Sequence, residues 1–181
     1  MQPFRSLRGI IIRREVLRMH NKSLRTDDYI DEVLKKHSNM VFRIAYSQTK
    51  NKADAEDVFQ NVFVRLMCCG TEFENEKHLE AWLIRVTVNC SKNVLTSAWF
   101  RKTTKLEDTI AVDAPQTSDI YNTVMQLPSK YRIVIHLHYY EDKPIAEIAS
   151  VLGKNENTVK SQLHRAREIL KQKLKGEFDY V

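Results

Sequence analysis

Residues 127–174 read LPSKYRIVIHLHYYEDKPIAEIASVLGKNENTVKSQLHRAREILKQKL, and this stretch decides the fold of the C-terminal part of the chain. Two helical patterns meet at a four-residue break, LGKN, at residues 152–155. Apolar residues repeat at helical spacing on both sides of the break, which is typical of a helix-turn-helix. They are Ile145, Ile148, Ala149 and Leu152 before it, and Val159, Leu163, Ala166 and Leu170 after it.

Three residues around the break fit the ends of these two helices. Pro144 suits a first turn, where a missing N–H costs nothing. Gly153 suits the C-terminal end of the first helix, because glycine adopts the left-handed conformation cheaply. Asn155 can cap the second helix by accepting a hydrogen bond from a free backbone N–H.

The outer face of the second helix is polar. In a helix-turn-helix this helix enters the major groove of DNA, where amide, hydroxyl and basic side chains reach bases or phosphates. The alternative is an ordinary helical hairpin whose polar face meets only solvent. The candidate DNA-binding residues are Asn155, Asn157, Thr158, Lys160, Ser161, His164 and Arg165.

The rest of the chain is also predicted to be helical. Four Gly and four Pro in 181 residues are few, which favours helices over a turn-rich β protein. Apolar spacing predicts helices at about 27–37, 40–49, 54–67, 79–98 and 119–127, and another that starts at 129 with Ser129 as its cap. The periodicity disappears across 101–118, a polar run that contains Pro115.

These patterns predict an all-α protein with two small helical domains, at 27–100 and 119–175. Residues 101–118 are predicted to be a flexible linker, residues 1–26 a basic N-terminal extension, and residues 176–181 a tail. Each domain is small, so burial is marginal in isolation, and partner binding is expected to fix their relative placement.

The net charge of +6 is unevenly distributed along the chain. Residues 1–26 carry a net +6 and residues 123–175 a net +5, whereas residues 27–98 carry −2. A basic C-terminal unit suits phosphate binding, and a slightly acidic middle unit suits a protein partner. The N-terminal arm fits a disordered basic tail, a short amphipathic helix, or an upstream extension with translation starting at Met19 rather than Met1.

The sequence carries no signature of a metal, cofactor or catalytic site. Cys68, Cys69 and Cys90 lack CxxC or Cys/His metal spacing, and such sparse cysteine use suits a reducing cytosol. No carboxylate cluster, Gly-rich phosphate loop or Cys/His/Asn arrangement supports a nuclease or a cysteine hydrolase. We therefore expect no cofactor, no metal and no catalytic activity, and no stretch approaches the length of a membrane span.

Four stretches in order carry a family resemblance. Residues 54–63 read DAEDVFQNVF, residues 82–89 read WLIRVTVN, residues 127–132 read LPSKYR, and residues 158–167 read TVKSQLHRAR. They resemble the DAEDxxQxxF, WLxRIAxN, second-domain and TVKSRLHRAR motifs of small bacterial sigma factors, the extracytoplasmic-function (ECF) group of the sigma-70 family. The resemblance covers about residues 28–174.

The resemblance implies a cytoplasmic subunit of RNA polymerase that directs promoter recognition and transcription initiation. The first domain, like sigma region 2, would bind the β′ clamp of core polymerase and the −10 promoter element. The second, like sigma region 4, would bind the −35 element and the β flap. The family often has an anti-sigma factor, which is a further expected partner.

An acidic, amide-rich helix face lies over the apolar stripe of residues 54–67. By the resemblance, this face would meet a basic helical surface on the polymerase. The alternative is a solvated face whose acidic first turn is favoured by the helix dipole. The candidate polymerase-binding residues are Asp54, Glu56, Asp57, Gln60 and Asn61.

A second candidate DNA surface lies on the helix predicted at 79–98 and just beyond it. Aromatic rings can stack on unpaired bases while neighbouring cations hold phosphates. For the two rings, the alternative is packing under the linker. The candidate −10 and strand-melting residues are Asn89, Lys92, Asn93, Trp99, Phe100, Arg101 and Lys102.

Several positions depart from the family pattern. Many relatives carry Asp and Arg where this chain has Asn93 and Thr96, and Arg where it has Gln162. The run at 155–157 also differs from the common Ser/Glu/Gly, so the promoter preference of relatives does not transfer. The remaining rival is a helix-turn-helix repressor or activator that acts without polymerase. The DAEDVFQNVF motif and the acidic first domain argue against it.

Overall fold

A computed structural model describes residues 25–69, 73–102 and 119–178 of the chain. Within these residues the protein is all-α, as predicted, with seven helices. Residues 1–24 of the predicted N-terminal extension and residues 103–118 of the predicted linker lie outside the described residues, whereas residues 25 and 26 already belong to the first helix. In chain order the helices are α1 (Arg25–Thr49), α2 (Lys52–Cys68), α3 (Glu76–Lys102), α4 (Asp119–Met125), α5 (Ser129–Tyr139), α6 (Ile145–Leu152) and α7 (Glu156–Phe178).

Helix α1 is continuous, so the prediction of separate helices at 27–37 and 40–49 is wrong. The polar run at 37–39 contains neither Gly nor Pro, and packing decides its conformation. His37 is buried, and its Nε2 lies 3.2 Å from Glu76 Oε1 at the start of α3. Met40 and Val41, one turn further on, are buried too. Tertiary contacts therefore override a weak local break signal.

The first domain is a three-helix unit in which α1 packs against both α2 and α3. The apolar stripe predicted on α2 is confirmed, since Ala55, Val58, Val62, Phe63 and Leu66 are buried. Each of the last two helices starts at an asparagine cap. Asn51 Oδ1 accepts a hydrogen bond from Asp54 N at 3.1 Å, and Asn75 Oδ1 accepts one from His78 N at 2.9 Å. The cap at Asn75 explains why α3 begins three residues before the predicted start.

The second domain contains the predicted helix-turn-helix, formed by α6 and α7. Gly153 has φ = 62°, the left-handed conformation, and its N–H donates to the carbonyls of Ala149 and Ser150. Val159 and Leu163 of α7 are fully buried against the other helices. Helices α4 and α5 pack behind this pair and complete the domain.

A buried cation fixes the turn between α4 and α5. Arg132 is only 3% exposed, and its Nη1 donates to the carbonyls of Met125 at 2.9 Å and Leu127 at 2.7 Å. Burial lowers the pKa of this guanidinium. These two hydrogen bonds satisfy carbonyls at and just beyond the end of α4, which lack helical partners.

The two domains lie in direct contact. Helix α1 packs against α5, and α3 packs against α6. The expectation that Ser129 caps α5 is wrong, because its Oγ instead donates to Gln48 Oε1 of the first domain at 2.6 Å. Buried residues of both domains therefore belong to one continuous core.

Candidate nucleic-acid interface

The start of α7 is held by the predicted asparagine cap. Asn155 Oδ1 accepts hydrogen bonds from Thr158 N and from Thr158 Oγ1, both at 2.7 Å. The side-chain oxygen of Asn155 and the hydroxyl of Thr158 are therefore engaged inside the protein. Their first role is to satisfy the free end of the helix, which fixes where the outer face of α7 points.

Most predicted recognition residues meet in one open groove of about 590 Å³. The groove runs along the first two turns of α7. Lys160 does not line it, and His164 lies on a neighbouring groove with Arg167 and Lys171. The lining residues are Tyr131, Asn155, Asn157, Thr158, Ser161, Gln162 and Arg165.

Two lining residues of this groove were absent from the candidates drawn from sequence. Tyr131 is half-buried and lines the groove, with Lys130 Nζ 4.8 Å from its ring centroid. Gln162 accepts a hydrogen bond from Lys154 Nζ at 2.8 Å. The adjacent basic and aromatic residues at 130 and 131 were the available signal for this contact surface.

The cations on α7 are exposed and only weakly paired. The side chains of Lys160 and Arg165 are 57% and 61% exposed. Lys160 Nζ lies 3.8 Å from Glu156, and Arg165 Nη1 donates to Glu168 at 3.1 Å. Exposed pairs of this kind contribute little stability, so either cation can exchange its carboxylate for a phosphate at small cost.

The predicted −10 surface lies on one side of α3. The side chains of Asn89, Lys92 and Asn93 are exposed, as predicted for a polar face. Thr96 Oγ1 is turned back to the carbonyl of Lys92, at 2.9 Å. The backbone of α3 continues helically to Lys102, but the side chains of Trp99, Phe100, Arg101 and Lys102 lie outside the described residues.

The predicted polymerase-binding residues share the outer side of α2. Glu56, Asp57, Gln60 and Asn61 are exposed, while Asp54 is half-buried. Asn61 Nδ2 donates to the carbonyl of Asp57 at 2.7 Å. The face is therefore acidic and amide-rich in the structure as in the sequence.

Two large apolar side chains extend this face. Val64 is 45% exposed and Met67 is 42% exposed. With Asp57 and Gln60 they follow the i, i+3, i+7, i+10 spacing of one helix face. Val64 and Met67 were absent from the candidates drawn from sequence, although this spacing was visible there. The extension makes the face part acidic and part apolar, which suits a protein partner.

Among residues 25–69, 73–102 and 119–178, no group of three His, Cys, Asp or Glu side chains is arranged to hold a metal ion. No helix within the same ranges has the length and apolar character needed to cross a membrane.

Comparison with known proteins gives the family. The Sigma-70 region 2 family matches residues 33–101, and the Sigma-70 region 4 family matches residues 117–170. The ECF RNA polymerase sigma factor SigL of Mycobacterium tuberculosis is 31% identical over 146 residues, covering 75% of this chain and 82% of the relative. The chain belongs to the ECF group of the sigma-70 family. It is a sigma factor, which binds core RNA polymerase and directs promoter recognition and transcription initiation.

Other known sigma factors are also similar to this chain, in sequence or in fold. The RNA polymerase sigma factor SigV of Bacillus subtilis is 28% identical over 151 residues, covering 78% of this chain and 88% of SigV. The fold matches that of the sigma factor RpoE from Bartonella quintana, solved with the anti-sigma factor NepR, with a TM-score of 0.68 and 21% identity. That match covers 82% of this sigma factor and 97% of RpoE.

Proposed function

We propose that this sigma factor uses three separate surfaces on its two domains during initiation. Helix α7 reads the −35 element, the outer face of α2 binds core polymerase, and α3 contacts the −10 element. The observation that carries the proposal is the polar groove on α7, which lies in the more basic of the two domains. The function needs no catalytic group, and we propose that the protein is not an enzyme.

The α7 groove supplies the chemistry for reading duplex DNA. Its amides and hydroxyls can bond base edges in the major groove, and Arg165 can bond guanine or a phosphate. The hydroxyl of Ser161 donates to the backbone carbonyl of Asn157 at 2.8 Å, which holds the Ser161 side chain on the exposed turn that also carries Asn157. The groove mouth beside Tyr131 gives space for a phosphate backbone next to the helix.

The face of α2 supplies a surface for the β′ clamp. Its carboxylates would pair with basic side chains of the polymerase, and Val64 with Met67 would bury apolar area beside them. The second domain would contact the β flap. Because core polymerase acts in the cytoplasm, we propose that this protein is cytoplasmic too. An anti-sigma factor is a further proposed partner.

The end of α3 would hold the opened −10 strand. Asn89, Lys92 and Asn93 would contact the DNA backbone or bases along the exposed side of α3. The rings at 99 and 100 and the cations at 101 and 102 would stack on unpaired bases and hold phosphates. These last four positions are proposed from the sequence alone.

In vitro transcription with purified core polymerase on a randomised promoter library tests the function directly. The full chain should yield transcripts from a subset of templates that share two sequence blocks. Core polymerase alone is the control. A chain that binds DNA but neither co-purifies with core polymerase nor yields transcripts would instead be a regulator that acts without polymerase.

A further inference from the structure

Two lysines of the second domain lie at the edge of the α7 groove. Lys154, in the turn before α7, is half-buried, and its Nζ donates to Gln162 Oε1 at 2.8 Å. Lys130, in the first turn of α5, places its Nζ 4.8 Å from the ring centroid of Tyr131. Gln162 and Tyr131 both line the groove, so the two ammonium groups lie beside it.

A third lysine reaches the same place from the first domain. Arg85 on α3 donates to the backbone carbonyls of Ser150 and Val151 at the end of α6, both at 3.4 Å. These contacts hold α3 beside the turn that carries Lys154, three residues further along the chain. Lys92 lies two turns after Arg85 on α3, and its side chain is exposed.

The three ammonium groups repel one another. Burial lowers the pKa of Lys154, and the charges of Lys92 and Lys130 lower it further. Of the cations that pair with a carboxylate within residues 25–69, 73–102 and 119–178, none is one of these three lysines. The lysine cluster therefore receives no counter-charge from the described residues.

Two members of this cluster also lie at the unfavourable end of a helix. Lys130 is the second residue of α5, and Lys154 directly precedes Asn155, the cap of α7. Helix N-termini carry partial positive charge, so cations there are destabilising and anions are favoured. The N-cap residue of α5 is Pro128, which makes no side-chain cap bond, so the first N–H groups of α5 can bind a ligand.

We infer that Lys92, Lys130 and Lys154 form a binding site for a small polyphosphate anion. Three ammonium groups and an uncapped helix start meet at one place, which suits a compact ligand with three or more negative charges. Duplex DNA instead spreads its phosphates along two backbones. The adjacent groove of about 590 Å³ leaves space for a group attached to the phosphates, such as a nucleoside. The inference goes beyond the proposed function and needs no polymerase.

Isothermal titration calorimetry of the full chain tests the site with inorganic tripolyphosphate, ATP and AMP, in buffer without divalent cations. Tripolyphosphate should bind at one site, and AMP should bind about tenfold or more weakly, because it brings fewer charges to the lysines. Either result for ATP supports the site and shows whether it accepts a nucleoside. Binding of AMP as tight as that of tripolyphosphate would overturn the inference.

The double change Lys130→Gln with Lys154→Gln removes two charges and keeps polar side chains. It should weaken tripolyphosphate binding about tenfold or more. The melting temperature of the ligand-free chain should not fall, because two repelling cations leave helix N-termini. The matched control is Lys171→Gln with Lys173→Gln on α7, which removes the same charge from the same domain and should retain wild-type affinity. Equal affinity in both double variants would contradict the site.

Lysine labelling of the wild type gives an independent measurement, which also decides if the double variant fails to fold. Acetylation by an N-hydroxysuccinimide ester is followed by mass spectrometry. With tripolyphosphate at about ten times its Kd, acetylation should slow about tenfold at Lys130 and Lys154 but not at Lys171. Equal slowing by sulfate at the same ionic strength would show general screening and overturn the inference. Protection by duplex DNA but not by tripolyphosphate would overturn it too, and assign these lysines to DNA.

Discussion

Gln48 shows how one side chain depends on both domains. It is buried at the end of α1, and its Oε1 accepts a hydrogen bond from Ser129 Oγ at 2.6 Å. Its own Nε2 donates to Ser47 Oγ at 3.2 Å, and its backbone carbonyl accepts from Arg132. Buried polar groups are stable only when they are hydrogen-bonded. If the two domains separate, water must therefore replace the hydrogen bonds that Gln48 makes to the second domain.

Residue-level prediction from sequence succeeded where the partner is close in the chain. Asn155 bonds Thr158, three residues away, and the cap follows from local helix chemistry. Ser129 looked like a similar cap, but its partner Gln48 is 81 residues away. No local rule contains that contact, so the prediction for Ser129 was wrong.

Replacing Asn155 by alanine should lower the free energy of unfolding by about 1–2 kcal/mol, because the amide and hydroxyl of Thr158 lose their shared side-chain acceptor. Urea denaturation followed by circular dichroism measures the change. Asn157→Ala is the matched control, since the side chain of Asn157 is exposed and its effect should stay within about 0.5 kcal/mol. Equal stability of the two variants would contradict the capping role.

Replacing Arg165 by alanine should weaken binding to −35-containing promoter DNA by about 1–3 kcal/mol, while binding to core polymerase is unchanged. Arg165 lines the α7 groove and loses only an exposed pair with Glu168. Fluorescence anisotropy of labelled promoter DNA with the holoenzyme measures the promoter affinity. Lys171→Ala on the same helix controls for the lost positive charge. Unchanged promoter affinity in both Arg165→Ala and Lys160→Ala would remove α7 from the DNA interface.

At the level of elements, apolar spacing predicted the existence of the helices better than it predicted where they begin and end. The helix-turn-helix was predictable, because Pro144 and Gly153 mark helix ends by their backbone conformation and Asn155 marks one by its side-chain cap. Helix α1 was not, because its continuity depends on burial of His37 beside Glu76 of another helix. The local spacing of residues along the chain does not encode that contact.

Asp57→Lys on α2 should weaken holoenzyme assembly about tenfold or more, because it sets like charges against a basic polymerase surface. Asp57 is exposed, so the fold should survive. Co-purification with core polymerase over a concentration series measures the loss. The control is Glu32→Lys, an exposed site of equal charge change on α1. A folded Asp57→Lys chain that assembles normally would show that this face does not bind polymerase.

The double change Trp99→Ala with Phe100→Ala should allow closed-complex formation but block strand opening, because base stacking contributes roughly 1–3 kcal/mol per base. Permanganate footprinting of unpaired thymines detects opening. If the rings are instead packed in the core, thermal stability and all binding should fall together. Normal opening in a stable double variant would rule out a melting role.

At the level of the whole molecule, the contact between domains was beyond sequence reasoning. The periodicities predicted two units and a connection, and the distribution of charged residues predicted that the second unit is basic. They contained no information on Arg43 and Glu141, which are 98 residues apart and belong to different domains. Long-range polar pairing depends on orientation of whole helices, which no local spacing encodes.

Glu141 should make the contact between domains sensitive to acid. Burial alone would raise the pKa of this carboxyl. The close contact with His136 and the hydrogen bonds from Arg43 outweigh burial and hold the pKa below its ordinary value of 4.5. His136 Nε2 is 3.2 Å from Glu141 Oε1 but poorly aligned for a hydrogen bond, so the Arg43 pair is the better-defined interaction. Tyr121 on α4 also lies near Arg43, but burial raises the pKa of its phenol, so it is uncharged in this pH range.

The sign of the pH effect follows from that lowered pKa. A carboxylate favoured in the folded chain stabilises the fold above the ordinary pKa of 4.5, and this contribution is lost as the pH falls through the lowered value. Glu141→Gln removes the charge with little change of shape. Wild type should therefore exceed Glu141→Gln by about 1–3 kcal/mol in free energy of unfolding near neutral pH. In urea titrations this difference should shrink as the solution is made acidic, whereas a difference that stays constant with pH would show that Glu141 acts there without its charge.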